Sequence, residues 1–77
     1  MITVLFFGRV ADLVQRRTSE VAASPSGDTL LSLRDRVFAG VEVPATVRMS
    51  LNKVVVPGDA PVADGDEVAF FSVFSGG

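Results

Sequence analysis

The chain has 77 residues, 48% of them hydrophobic, and a formal net charge of -2. That length fits one domain, whose core is small but well supplied with apolar side chains. Cysteine and histidine are absent, which excludes disulfides and thiolate metal sites and removes the commonest general base and metal ligand. The acidic balance offers no basic surface for nucleic acid. No apolar run approaches the roughly 20 residues of a membrane span, and "MITVLFFGRV" lacks the charged segment and cleavage site of a signal peptide. These observations read as a small, soluble, cytoplasmic domain.

Residues 2 to 7, "ITVLFF", are β-branched and aromatic and end at Gly8, the pattern of a strand. Ile2, Val4 and Phe6 share one face; Thr3, Leu5 and Phe7 share the other. In "RVADLVQRR", Val10, Leu13 and Val14 recur at helical spacing and predict one or two turns. Thr18 to Ala23 reads as a second strand, broken by Ser24-Pro25-Ser26-Gly27. The main helix starts at Asp28 or Thr29, both good N-caps. Its apolar stripe is Leu30, Leu33 and Val37, widened by Leu31 and Phe38, and Gly40 is placed to end it as the C′ residue. Val47 to Leu51 and Lys53 to Val56 read as two short strands joined near Asn52. "PGDAP" reads as a turn or loop, and Asp64-Gly65 is a strong tight-turn signal. Glu67 to Phe74 is the most apolar strand and belongs in the centre of the sheet.

One main helix among these strands predicts an α+β domain, a mixed sheet of about five strands with the helix across one face. The two most apolar segments are the first and the last, as in the β-grasp (ubiquitin-like) roll, where those strands lie parallel in the middle. The whole chain, 1–77, reads as this single domain with a flexible tail over 72–77. Inner positions would be Ile2, Val4, Phe6, Val68 and Phe70. Leu5, Phe7, Ala69 and Phe71 would face away from the helix, joined by Val55 if Val54 and Val56 point inward. This much outward apolar surface suits a partner, or else loops or the short helix cover it.

Side chains that could do chemistry have simpler readings. Asp59, Asp64, Asp66 and Glu67 cluster in sequence, but their spacing does not fit a calcium loop, and Asp-Gly is turn chemistry. Lys53 is a turn lysine unless desolvated. Ser72 and Ser75 have no histidine to activate them. Arg16-Arg17 is too short for a nucleic-acid patch. No catalytic constellation stands out, so the chain does not read as an enzyme on its own.

The terminal stretch "FSVFSGG" carries more information. At an average glycine usage of about 7%, a pair at a given place arises by chance in about half a per cent of chains. Without Cβ atoms, Gly76 and Gly77 can thread a narrow channel and present an α-carboxylate to another enzyme's site. A carboxylate becomes an acyl donor only when activated, typically as an acyl-adenylate.

"MITVLFFGRVADLV" at the start and "LNKVVVPGDAPVADGDEVAFFSVFSGG" at the end resemble the small subunit of molybdopterin synthase, a β-grasp sulfur-carrier family of molybdenum-cofactor biosynthesis. The resemblance covers the whole chain, and "DGDEVAFF" followed by Gly-Gly is its most specific part. It implies that a ubiquitin-activating-type enzyme adenylates Gly77 with ATP and that a sulfur donor converts it to a thiocarboxylate. The tail, Phe74, Ser75, Gly76 and Gly77, would then enter the large catalytic subunit. There the Gly77 sulfur would pass to cyclic pyranopterin monophosphate, two sulfurs being needed per dithiolene. The resemblance implies no bound cofactor in this chain and leaves catalysis to the large subunit. Phe7, Val55 and Phe71 match apolar positions at which family members meet their partners.

This chain departs from the family pattern where two prolines commonly follow "FF"; here Ser72 and Val73 stand, and Phe74 replaces a smaller aliphatic. Serine and valine do not fix φ as proline does. The thiamine-pathway sulfur carrier is a second reading, since it also is a β-grasp ending in Gly-Gly, but it usually joins its first two strands by a tight turn. The insert "RVADLVQRR" and "LFFG" favour the molybdopterin branch. A third reading is a ubiquitin-like modifier or interaction domain, whose tail forms isopeptide bonds or has no role.

Overall fold

Side-chain alternation along an apolar stretch is the first determinant of this fold. In the computed structural model, which describes residues 1–72, "ITVLF" forms β1 (Ile2–Phe6) with Ile2, Val4 and Phe6 buried. Helix α1 (Gly8–Val14) follows at once. The joint at Gly8 has φ +55, a left-handed conformation that glycine adopts without the Cβ penalty of other residues. Strand β2 (Thr18–Val21) returns antiparallel to β1, two residues shorter than Thr18–Ala23.

Strands β4 (Val47–Leu51) and β5 (Val54–Val56) form a hairpin. Its two linking residues, Asn52 and Lys53, have φ 50 and 72, the positive pair that matches the twist of a two-residue hairpin. Strand β7 (Glu67–Ser72) enters between β1 and β4, parallel to β1 and antiparallel to β4. The sheet order is β2-β1-β7-β4-β5. The first and last strands therefore lie parallel in the middle, the β-grasp arrangement. Ser72 pairs with Val47 as part of β7; the rest of the strand expected to run to Phe74, and of the tail expected over 72–77, falls beyond the described residues. Val73 to Gly77 lie outside the described residues.

A second, two-stranded sheet was not foreseen. Strand β3 (Asp28–Thr29) pairs antiparallel with β6 (Pro61–Val62), inside segments that read only as a cap and a loop. Its role is to anchor the start of helix α2 (Leu30–Val37). Thr29 is the N-cap, and the first amide donors of α2 are all met. Leu30 N–H donates to the Ala60 carbonyl at 3.0 Å, Leu31 N–H to Asp59 Oδ1 at 3.0 Å, and Ser32 N–H to Thr29 Oγ1 at 3.1 Å. Thr29 N–H donates in turn to Ser32 Oγ, closing a capping box. Asp28, the other cap candidate, is buried instead. It accepts from Ser24 N–H at 2.7 Å and from the Arg36 guanidinium at 2.8 Å.

Helix α2 buries Leu30 and Leu33 on the sheet, while Leu31 is exposed and Phe38, the C-cap, is buried. Gly40 falls two residues past that cap rather than at C′, because the helix ends one residue earlier than its apolar stripe implied. The core unites Ile2, Val4, Phe6, Val10, Leu30, Leu33, Phe38, Met49, Val62, Val68 and Phe70. At one end Phe6, Phe38 and Phe70 form an aromatic triangle. Phe6 and Phe70 stack at 5.9 Å between ring centroids, and Phe38 meets both edge-on, at 6.1 and 5.3 Å.

Phe70, which meets both other rings of this triangle, is fully buried. Phe70→Ala is expected to lower unfolding stability by about 3–5 kcal/mol in urea titration. Asp59 is held below its ordinary carboxylate range, first by the Leu31 N–H it accepts and then by that of Ala60. A depressed carboxylate stabilises the native state above its unfolded pKa, and that contribution is lost as pH falls through the lower folded value. Thermal melts taken from neutral pH to below 3.8 should therefore show a shallower acid loss for Asp59→Asn than for the parent protein.

Candidate functional site

The face of the sheet opposite α2 follows from strand register alone. Leu5 lies opposite Ala69, Ala69 opposite Ser50, and Ser50 opposite Val55, so these four form one row across the outer face. The next row, toward the C-terminal end of β7, holds Phe71 opposite Arg48. Phe7 extends that row. It is still extended, with φ -121 and ψ 147, and its N–H donates to the Phe70 carbonyl at 3.1 Å, so the parallel pairing runs one residue past β1. On the other side of the Leu5 row, Thr3 lies opposite both Glu67 and Glu20.

The three residues singled out for contact with a partner, Phe7, Val55 and Phe71, thus share this face. Phe7 is 52% and Val55 59% exposed, and Phe71 is half-buried. Val54 and Val56 take the opposite parity, as Val55 pointing outward requires; Val54 remains exposed at the sheet edge. One outward residue behaves differently. Ala69 is only 7% and neighbouring Ser50 only 8% exposed. Their side chains are short, and the larger residues in the adjoining positions shield them. The face is therefore an apolar rim around a small-residue floor, with Glu20 and Glu67 on one side and Arg48 on the other. Arg48 is exposed, and its guanidinium donates to the Ala45 and Val47 carbonyls at 3.2 Å.

Strands β1 and β7 run toward the same side, where α1 packs against β7. A cavity of about 250 Å³ opens there, lined by Arg9, Val10, Leu13, Pro44, Thr46 and Ser72. Thr46 Oγ1 and Ser72 Oγ are 2.9 Å apart. Gly77, Gly76, Ser75 and Phe74, the residues expected to carry the chemistry, lie outside the described residues.

The carboxylates of the sequence cluster serve separate structural duties. Asp59 caps α2. Asp64 pairs with the Met1 ammonium. Asp66 accepts from Ala63 N–H at 2.8 Å and from the Asn52 amide at 3.1 Å, and these two bonds hold its carboxyl below the ordinary range. Among the described residues no three His, Cys, Asp or Glu side chains converge as metal ligands. Lys53 is exposed in the hairpin turn. Asn52 does more than turn the chain: its side-chain oxygen accepts from Glu67 N–H at 2.9 Å, and its own N–H donates to the Glu67 carbonyl at 2.7 Å. That tie to the start of β7 has only the positive-φ preference of asparagine as its trace in the sequence.

Residues 4–77 match the model of the ThiS family. The chain belongs to the ThiS family. It is 39% identical, over 82 aligned positions spanning all of both chains, to the molybdopterin synthase sulfur carrier subunit of Escherichia coli (strain K12). Two solved structures share the fold. The crystal structure of SAMP1 from Haloferax volcanii has a TM-score of 0.69 at 24% identity, over 99% of this chain and 98% of that one. A crystal structure of the H. volcanii small archaeal modifier protein 1 has a TM-score of 0.71 at 19% identity, over 92% and 94%. The β-grasp expectation and the resemblance to the molybdopterin synthase small subunit both hold. No helix among the described residues is long and apolar enough to cross a membrane.

The rim and the floor of the outer face should respond differently to charge. Phe71→Arg is expected to cost the less of the two, because a half-buried rim position lets the long side chain carry its charge to solvent. Ala69→Arg, one pleat away, forces a long charged chain into a packed floor and should cost at least about 1–3 kcal/mol. Urea unfolding of the two variants checks this, and equal losses would contradict the assignment of rim and floor.

Proposed function

We propose that this protein is the sulfur carrier subunit of a molybdopterin synthase, with the Gly77 carboxylate as its working group. The observation that carries this reading is the full-length 39% identity to a protein of that name, within a family that matches almost the whole chain. The geometry agrees with a carrier. An apolar rim of Phe7, Phe71 and Val55 lies on the face that α2 leaves open, and two of its members adjoin the last described rung of β7.

In this reading the Gly77 carboxylate attacks the α-phosphate of ATP on a ubiquitin-activating-type enzyme, and pyrophosphate leaves. A sulfur nucleophile then displaces AMP from the acyl-adenylate, giving the thiocarboxylate. The loaded carrier docks through the rim on the large catalytic subunit, and the tail delivers its sulfur to cyclic pyranopterin monophosphate. The groups that activate water or the pterin belong to the partner, so this chain needs neither histidine nor cysteine. ATP is the activating enzyme's substrate, and the carrier holds no cofactor of its own. The reactions take place in the cytoplasm.

Deleting Gly77, or adding one residue after it, should abolish sulfur transfer while leaving the urea midpoint unchanged. Full transfer by either variant would refute the role of the terminal carboxylate. Phe71→Arg should weaken binding to the large subunit in a titration while sulfur loading of Gly77 persists.

A further inference from the structure

Arg48 stands in the aromatic row of the outer face. Register sets it directly opposite Phe71, with Phe7 on the far side of Phe71, and it is exposed. Within the fold its charge meets no opposite charge. The ion pairs among the described residues join the Met1 ammonium to Asp64, Arg34 to Asp35 and Arg36 to Asp28, and none includes Arg48. The guanidinium rests instead on two backbone carbonyls of its own segment, Ala45 and Val47, both from Nη1 at 3.2 Å. The strand pattern explains why the second of these is open. Asn52 N–H donates to the Glu67 carbonyl, so the even-numbered residues of β4 turn their backbone groups to β7 and Val47 turns its own away. Strand β5 does not reach it there, because the β4–β5 pairing stops at Met49 opposite Val56.

Two bonds at the long limit of the normal range, both to neutral acceptors, hold the guanidinium less firmly than a carboxylate would. A carboxylate takes two shorter, charge-assisted bonds from the same fork. The opposite margin of the face has the opposite sign. Glu20 and Glu67 lie on either side of Thr3, and Glu67 is about 13 Å from Phe71 along β7 at the rise of an extended strand. A partner seated on the apolar rim can be turned end for end. Its carboxylates are repelled at the Glu20–Glu67 margin and attracted at Arg48, so charge separates two orientations that apolar contact alone does not. We propose that Arg48 orients docking on the large subunit by leaving its own carbonyls for a carboxylate that this partner presents beside Phe7 and Phe71. The inference rests on the sulfur-carrier reading. Arg48 touches no reacting atom in it and acts on binding alone.

The test is calorimetric titration of the purified cognate large subunit with the full-length carrier at low and at physiological salt, with urea midpoints measured in parallel. Loss of a hydrogen bond between charged groups shifts an equilibrium by about ten- to a hundredfold. Arg48→Ala should raise Kd by that factor and flatten its dependence on salt. Arg48→Glu should raise Kd further, and Arg48→Lys, which keeps the charge but not the fork, should fall between the parent and Arg48→Ala. Asp35→Lys changes the net charge as much as Arg48→Glu does, but on α2, and should leave Kd and its salt dependence at the parent values. If Arg48→Ala keeps Kd within about twofold, or lowers only the urea midpoint, Arg48 merely caps the open edge of β4 and the proposal is overturned. A shift from Asp35→Lys as large as that from Arg48→Glu would trace the effect to net charge and overturn it equally. If the parent carrier does not bind the large subunit at all, the sulfur-carrier reading itself fails, a result distinct from binding that ignores Arg48.

Discussion

Val4 lies opposite Val68 and Phe6 opposite Phe70 where β1 and β7 run parallel through the centre of the sheet. Both strands are apolar on both faces, so composition alone would permit either face to meet α2. The register and the two-residue side-chain period select one. Ile2, Val4, Phe6, Val68 and Phe70 go under the helix, which sends Leu5, Phe7, Ala69 and Phe71 outward. A slip of one residue would exchange the two sets. The core and the candidate docking face are therefore not independent features, since one pairing determines both.

The same pairing explains where the outward residues sit. Parallel neighbours run toward the same side of a sheet, so Phe7 and Phe71 come together beside the last described residue of β7. Antiparallel addition of the β4–β5 hairpin extends the surface to Val55 at the opposite margin. A contact surface that reaches the last described rung of β7 suits a carrier whose docking must bring its terminal group within a partner's reach. The rest of the molecule secures β7. Asn52 ties its start to the hairpin, the aromatic triangle fixes its middle, and Val47 and Thr46 hold its last described residue.

Much of this was legible in the chain. Alternation in "ITVLFF" and "EVAFF" gave the faces of the two central strands, a cap at Asp28 or Thr29 with the Leu30–Leu33 spacing gave α2, and the opening and closing segments gave the family. What escaped had physical reasons. A two-residue strand such as Asp28–Thr29 is too short to show a period of two, and its partner Pro61–Val62 lies where proline argues for a loop. Ala69 was counted as outward and open because parity says nothing about how far its larger neighbours overhang a short side chain. Asp59 and Asn52 form bonds across 28 and 15 positions, and such contacts exist only once the fold has brought the segments together. Leu31 fitted the apolar stripe, yet it lies toward the edge that the sheet does not cover.

The central claim is that the α-carboxylate of Gly77 is the group this fold exists to present. Intact-mass spectrometry after incubation with ATP, the adenylating enzyme and a sulfur source tests it most directly. The account predicts a gain equal to one oxygen replaced by one sulfur, placed by fragmentation on Gly77 and not on Met1 or Met49 as an oxidation. An unchanged mass, with the same enzyme loading another carrier in parallel, would contradict it.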